Sequence, residues 1–594
     1  MKLVKKPDGA GPKAAARKRA TPSAVAKKAK GKKAKGMKSG LSAFFLDVSE
    51  KKGRAAFSAL TKTRGAFRGF AAGGAAALTV LDAESAALNH LNQALESSTV
   101  PQFTRPTVLN AASEFKSIGS EASPLTGTTV VKFRQTFNNV PVYGSLVTVE
   151  LDKGNECLAI NSSLGTPKGV NHVASVAPSV ALDVAAKAAG QKPGSLNQTP
   201  RLHYYFDQAA AKWLLAWIIE NVPRGGDAKK GASLREARLN DYVVDAHTAK
   251  LIAELPRTAT MAAVKEVVVD ALNDKRTIAV ETIAGGKRQM RDLALNVTTC
   301  DFGFRDPTAQ GHLLPGTLFR SPPVPWPLEA IGAHANGAAV SHFLRNVLKR
   351  NNIDNKGGEM ISSVNCWDRS EGTSPARQWQ NAYWNGDQMV YGQIKFPDGS
   401  LFSVASMLDV VGHEMFHGVT DHTSRLEYRL QPGALNESYS DVFGVIIANF
   451  AKTQASWNWE IGSGFFGPGK ALRNLKKPEL HGQPRTMAEF IRASPPINSR
   501  NDYGHVHDNS GIHNYAAYRV MIAKSSGKYV FTPVQLAAMF YVALTVNLSR
   551  TSQFADSRRA VLSATRSLFR SDPPALLARK VRAVERACSA AGIL

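Results

Sequence analysis

The sequence predicts an α+β fold in which strands dominate from about residue 81 to about 400 and helices the remainder. Three observations predict it. Before about residue 400, apolar and polar residues alternate in short runs at a period of two, as half-buried strands do. Beyond it, apolar residues recur every three to four positions, as amphipathic helices require. Between the two regions lies Val410–Thr420, which contains His413-Glu414-Met415-Phe416-His417.

A length of 594 residues suggests about four domains at about 150 residues each. Hydrophobic content of 43% and aromatic content of 8% are those of a globular protein. No run approaches the roughly 18 apolar residues of a membrane helix. Four cysteines (Cys157, Cys300, Cys366 and Cys588) are too few for a disulfide scaffold, and none falls in a Cys-x-x-Cys. The net charge of +27 is uneven: residues 1–40 hold 14 Lys and Arg against the single acid Asp8. This Ala-, Gly-, Pro- and Lys-rich stretch is expected to be disordered, and residues 1–80 read as one basic, largely disordered arm. Such an arm can bind polyanions, although it has neither the interleaved aromatics nor the folded motif of a dedicated nucleic-acid binder. Lys5 onward lacks the apolar core of a signal peptide, and the weakly apolar stretch from Gly69 to Leu81 lies too far in.

From Leu81 the chain reads as folded. Asp82 can cap a helix running to Leu91. Val131, Phe133 and Phe137 alternate with Lys132, Arg134 and Thr136 in a strand, Asn138-Asn139 marks a turn, and Val147, Val149 and Leu151 return. Further strands are expected near Leu202–Phe206, Lys212–Glu220 and Tyr242–Ile252. Glu254–Val264, with Pro256, reads as a linker. An α+β region therefore spans 81–258, in halves of 81–172 and 173–258. A mostly β region follows over 259–420, with strands at Ala279–Ile283 and Val297–Cys300 and a helix over Ile331–Leu348. Residues 421–594 read as helices at 435–450, 514–524, 533–549, 555–569 and 574–590.

His413 and His417 stand four apart, so on a helix both rings point to one side. Zinc takes such nitrogens at about 2.0–2.1 Å in a tetrahedral shell. Glu414 sits about 100° round the helix, beside the metal and free to act as a base on water. Val404, Met407, Leu408, Val411, Met415 and Val419 supply an apolar face for burial. A catalytic zinc needs a third protein ligand and an open position. Glu437 offers the third, in a segment whose Leu435, Val442, Phe443, Ile446, Ile447 and Phe450 are spaced as a helix. Asp441, four residues on, can accept the second ring proton of a ligand histidine.

The run Gly433-x-x-Asn436-Glu437-x-x-Ser440-Asp441 places Glu437 24 residues after His413. It resembles the thermolysin-like metallopeptidases, a family already known for a His-His-Glu zinc shell. Asn381–Gly386 and Gln388–Gly392 resemble that family's substrate-edge strand and turn. Val506–Ile512 resembles its second catalytic histidine segment, and Ala471-Leu472-Arg473 its substrate-binding arginine. Phe133–Gly144 and Tyr242–Thr248 resemble the propeptide of thermolysin-like and fungal relatives.

The resemblance implies two lobes, β-rich and α-helical, with the zinc helix between them and a propeptide in front. It implies a zinc endopeptidase made as a zymogen, cleaving on the amino side of hydrophobic residues with Glu414 as general base. His507 and Tyr428 would donate to the oxyanion, with Asp502 orienting His507. Asn436 would partner His417, and Asp441 would partner His413. Arg473 would hold a substrate carbonyl, while Asn381 and the Ala382 backbone would pair the peptide as an added strand. Val404, Val410, Ile461 and Leu472 match a pocket after the scissile bond. His505 and His513 match no role and read as structural or exposed. The propeptide would act as an intramolecular inhibitor, released by a cut near 254–264. A secreted monomer is the family expectation. Asp409 and Glu460 match carboxylates of a double calcium site, but Ala448, Asn458 and Ser463 fill its other positions, which implies one Ca2+ ion at most. The alternative reading is an inactive peptidase scaffold whose basic arm binds nucleic acid or other polyanions. It would be favoured by loss of Glu414, His507 or Glu437, and all three are present. A zinc aminopeptidase would need a carboxylate motif for the substrate amine, and none is seen.

Overall fold

The computed structural model describes residues 40–47 and 82–594, apart from 97–102, 224–238, 258–264, 370–377 and a few shorter stretches. Segment 1–39 lies outside the described residues, and with it the expected disorder and polyanion binding.

Period-two alternation builds a first antiparallel sheet from β1 (Leu41–Asp47), β2 (Glu114–Ser123), β3 (Thr128–Phe137), β4 (Leu146–Leu151) and β5 (Cys157–Gly165). Its order is β1-β5-β4-β3-β2, with Val140–Pro141 added on β3. Helix α1 (Ala83–Glu96) packs Ala87, Leu91 and Ala94 onto Phe133, Val147, Val149 and Ile160. Strand β1 corrects the reading of 1–80 as one arm. It pairs along β5 from Leu41↔Gly165 to Asp47↔Ala159, and Leu46 joins the core. Averaging composition over eighty residues hid a seven-residue strand.

A second sheet, order β9-β8-β7-β6, holds β6 (Arg201–Asp207), β7 (Lys212–Pro223), β8 (Leu239–Asp245) and β9 (Leu251–Arg257), with α2 (Pro178–Ala188) against it. Two expectations change here. The single strand expected over Tyr242–Ile252 is two strands joined by a turn. Glu254–Arg257 is strand and not linker, with Pro256 opposite Asn240. Proline lacks the N–H of an interior ladder, but an edge strand tolerates it, and β9 is an edge.

The hairpin β10 (Lys265–Val269) and β11 (Lys275–Ala279) leads into a seven-stranded mixed sheet. That sheet contains β12 (Val297–Arg305), β13 (Met360–Cys366), β14 (Trp379–Trp384), β15 (Met389–Lys395) and β16 (Leu401–Ser403). β12, β13 and β15 run parallel, and β14 closes one edge antiparallel to β15. The helix α3 (Leu328–Asn346) packs on this sheet.

The helical region comprises α4 (Leu408–Asp421), α5 (Leu430–Asn449), α6 (Asp502–Met521), α7 (Pro533–Val542), α8 (Phe554–Leu568) and α9 (Pro574–Ala590). Val404 precedes α4, in a separate 3-10 turn capped by Ser403. α4 and α5 approach closely because Gly412 faces Gly444; a Cβ on Gly444 would stand 2.5 Å from the Asp409 carbonyl oxygen. Phe416 stacks on Phe443 with ring centroids 3.8 Å apart. That contact fixes the register of the two helices carrying the metal-ligand candidates. All four cysteines are free and buried. Among the described residues, no helix is long and apolar enough to cross a membrane.

The two N-terminal sheets rest on the helical region through polar anchors. Arg550, in the turn between α7 and α8, donates to Tyr143 Oη at 2.8 Å and to Glu220 Oε1 at 2.8 Å. Asp241 Oδ2 lies 3.4 Å from the same guanidinium. Glu150 accepts from Ser567 Oγ and, at 2.9 Å, from Arg570.

Candidate active site and metal centre

One turn of α4 separates His413 from His417, and their Nε2 atoms lie 3.1 Å apart. Glu437, reaching across from α5, places Oε2 3.5 Å from the first and Oε1 3.4 Å from the second. Both Nδ1 atoms are engaged elsewhere: His413 meets Asp441 Oδ1 at 2.8 Å, and His417 meets Asn436 Oδ1 at 2.8 Å. Asn436 is oriented by its own bond to the Leu426 carbonyl. Protons at both Nδ1 leave two Nε2 lone pairs pointing at one another. Glu437 is 1% exposed, and its Oε2 has no hydrogen-bond partner. Two converging lone pairs and a buried carboxylate oxygen without a hydrogen bond present three ligand atoms to one point, so the donor set fits zinc. Among the described residues this is the one group of three or more His, Cys, Asp or Glu side chains able to hold a metal.

The electrostatics follow from burial and partners. Burial pushes Glu414 up to about 7, with His413 opposing and Glu437 reinforcing. A cation on the three ligands would work the other way. Burial disfavours charge on His413, but Asp441 and Glu437 outweigh it and its pKa rises. His417 has a carboxamide in place of the carboxylate, and burial drives it down to about 4. Burial also opposes charge on Glu437, yet His507, His417, His413 and Arg473 together lower its pKa.

His507 reaches the same centre from α6. Its Nε2 lies 3.3 Å from Glu437 Oε1 and 3.1 Å from Tyr428 Oη. Tyr428 also donates to Glu437. Asp502 accepts from the His507 backbone N–H at 2.8 Å and meets its Nδ1 at 2.6 Å. The chain enters this arrangement through Asp502, Tyr503 and His505, all at positive φ (50°, 49° and 62°). Consecutive non-glycine residues in that region are strained and persist only where surrounding contacts impose them.

Arg473 lies against the site. Its Nη2 is 2.9 Å from Asp441 Oδ1 and 3.6 Å from Glu437 Oε2. Asn381 and Ala382 sit on edge strand β14. Val404, Val410 and Ile461 are buried in the main core, and Leu472 packs half-buried against it. Asp409 spends its oxygens on the backbone N–H groups of Val410 and Gly462, and Glu460 accepts from Ser463 Oγ. His505 pairs with Asp508, and His513 is buried between Ser438 and Ser557.

Sequence reasoning missed two contributors. Asn514 donates to Asp441 Oδ2 at 2.7 Å and so fixes the carboxylate behind His413. The backbone of Trp384 faces the Glu414 carboxylate and favours its charged form. Asn514 sits one helical turn beyond Ser510 on the helix of His507, which is a usable signal; a backbone amide leaves none.

Known proteins match the chain in three segments. A sequence model of the thermolysin metallopeptidase catalytic domain covers residues 266–421, one of the thermolysin α-helical domain covers 424–593, and a fungalysin/thermolysin propeptide motif covers 113–164. Bacillolysin of Bacillus amyloliquefaciens is 33% identical over 478 residues, covering 77% of this chain and 81% of its own. Neutral protease NprE of Bacillus pumilus is 38% identical over 290 residues, covering 48% of this chain and 87% of its own. Among solved structures, the precursor of protealysin from Serratia proteamaculans aligns at a TM-score of 0.41 and 28% identity, over 50% of this chain and 87% of that one.

Proposed function

Because the chain belongs to the thermolysin metallopeptidase family and is therefore a zinc-dependent metalloendopeptidase made as a precursor with a propeptide, we propose that it cleaves on the amino side of hydrophobic residues with Glu414 as general base. The observation that carries this reading is the convergence of the two Nε2 atoms of His413 and His417 with the buried carboxylate of Glu437, with Glu414 alongside.

When held by His413, His417 and Glu437, zinc supplies a Lewis acid that acidifies a water and polarises a carbonyl. Glu414 takes the proton of the attacking water and returns it to the departing amine. Tyr428 Oη and His507 Nε2 donate to the oxyanion as it forms, and Asp502 keeps the donating face of His507 turned inward. Arg473, fixed by Asp441, contributes positive charge for a substrate carbonyl. The open side of β14 at Asn381–Ala382 pairs with the extended peptide. Val410 and Leu472 contribute to the apolar preference.

Metal content tests the ligand set. Glu437→Gln keeps the shape but loses the anionic ligand, so the purified variant should hold well under one zinc per chain. Full occupancy by elemental analysis would assign the third ligand elsewhere.

The N-terminal sheets act as the inhibitor. Arg550 joins the catalytic half to Tyr143, Glu220 and Asp241, and the neighbouring segment carries Glu427 and Arg429 on either side of Tyr428. The inhibitor thus docks beside a proposed oxyanion donor. Arg550→Ala would remove the charged donor to Tyr143 and Glu220 and the guanidinium beside Asp241, which is 2% exposed. Losing one partner of such a pair costs roughly 2–5 kcal/mol, about thirtyfold or more in the hold of the inhibitor. The purified uncut Arg550→Ala precursor is expected to hydrolyse a small peptide substrate at a rate the parent precursor does not reach. Equal latency would remove Arg550 from the inhibitory contact.

A further inference from the structure

A groove of about 470 Å³ lies between the C-terminal end of α6, the following hairpin and α9. Arg519, Lys524, Arg579, Arg582 and Arg586 line it, and no carboxylate does. Arg519 leans on Tyr515 Oη at 2.9 Å, and Lys524 sits over the Tyr529 ring. Arg579, Arg582 and Arg586 are exposed and make no hydrogen bond or ion pair with a described residue. Spaced by three and four residues, they share one face of α9 and form a row about 10 Å long. Glu585 is the only acid on α9 and forms no ion pair with them, so the like charges repel and an anionic ligand relieves that repulsion. The floor of the groove is aliphatic, with Ile522, Val530, Ala583 and Ala587 among its lining residues.

We propose that this groove is an exosite for acidic segments of protein substrates, which carry carboxylates on one face and small apolar side chains on the other. Cationic walls over an aliphatic floor match that chemistry. Single-stranded nucleic acid is matched less well, because its bases stack on aromatic side chains and none lines the groove. The groove shares a helix with the catalytic residues: α6 carries His507 near its start and Arg519 twelve residues later, about 18 Å along the helix axis. The helix between them is buried, so a substrate reaching both follows the surface and needs more than the roughly six extended residues of the straight line. The proposal rests on the endopeptidase reading and adds a preference, at a distance from the scissile bond, which that reading lacks.

The test uses mature enzyme and fluorogenic substrates sharing one cleavable core, either untailed or carrying a tail of about sixteen residues, long enough for a path over the surface. One tail alternates Glu with Ala, the other Gln with Ala, and each is placed in turn at either end. The parent should favour the Glu tail in kcat/KM by about tenfold, the scale of three exposed ion pairs. The triple variant Arg579→Glu, Arg582→Glu, Arg586→Glu should lose that preference and cut the untailed core as the parent does. A control triple of equal charge change at exposed sites elsewhere, Lys287→Glu, Arg320→Glu, Lys356→Glu, should keep it. No preference in the parent, or equal loss in both triples, would overturn the exosite. A second measurement follows binding of a labelled Glu-Ala peptide by anisotropy on the zinc-loaded enzyme, for which this peptide offers no large hydrophobic residue to cut at. If a single-stranded oligonucleotide of equal charge binds more tightly there, and the groove triple abolishes it, the occupant is nucleic acid and the peptide assignment fails. An untailed core that is never cut would sink the endopeptidase reading alone, since the binding measurement decides the groove without turnover.

Discussion

Glu414→Ala is expected to give a chain that folds, keeps its zinc and remains at full length. Glu414 is absent from the converging ligand set of His413, His417 and Glu437, so its loss leaves the metal shell intact. It does remove the group proposed to take the proton from water. General-base catalysis contributes roughly 10²–10⁴-fold, and turnover should fall on that scale. If the precursor cuts itself, the same substitution stops maturation, because the cut needs the same base. Intact mass and N-terminal sequencing in a host free of other metalloproteases would show it. The parent should yield a fragment starting beyond Arg257, and the variant should not. Processing of Glu414→Ala at the parent's rate would assign maturation to another protease and leave the peptidase assignment standing.

His507→Ala should lower kcat/KM by roughly 10²–10³-fold while zinc stays at one per chain, the size of effect expected when one oxyanion donor is lost. The geometry separates this from a ligand effect: the Nε2 of His507 faces Glu437 and Tyr428, and its Nδ1 is taken by Asp502. Steady-state kinetics with elemental analysis on the same sample decides it. Activity within a few-fold of the parent would remove His507 from the mechanism; loss of zinc would make it a ligand-shell residue.

The parts of the site that share one helix were legible in the sequence, because spacing alone brings them together. His413 and His417 are four apart, as are Glu437 and Asp441, and the structure keeps both pairs on common faces. Contacts made by a distant carboxamide or a backbone amide were not legible. Asn514 meets Asp441 across 73 residues, and Arg550 reads as an ordinary arginine until Tyr143, Glu220 and Asp241 surround it. The start of α6 was also missed, by about twelve residues. Its first turns bury Asn509, Ser510, His513 and Asn514 in place of an apolar stripe, and a helix with a polar buried face carries no hydrophobic period. Pro256 misled in the other direction. It was read as a linker mark, although an edge strand accepts it equally well.

The edge position of β9 has a consequence for how activity is released. A cut beyond Arg257 severs the chain just outside the last strand of its sheet and breaks none of the ladders β9-β8, β8-β7 or β7-β6. The severed N-terminal part therefore keeps its fold and its contacts through Arg550. What the cut changes is concentration. A tethered inhibitor meets its site at an effective concentration of the order of millimolar. A severed one meets it at whatever concentration the enzyme itself has. Activation is then expected to depend on dilution: a concentrated, fully cut sample should be less active per molecule than the same sample spread into a larger volume, without another bond being broken.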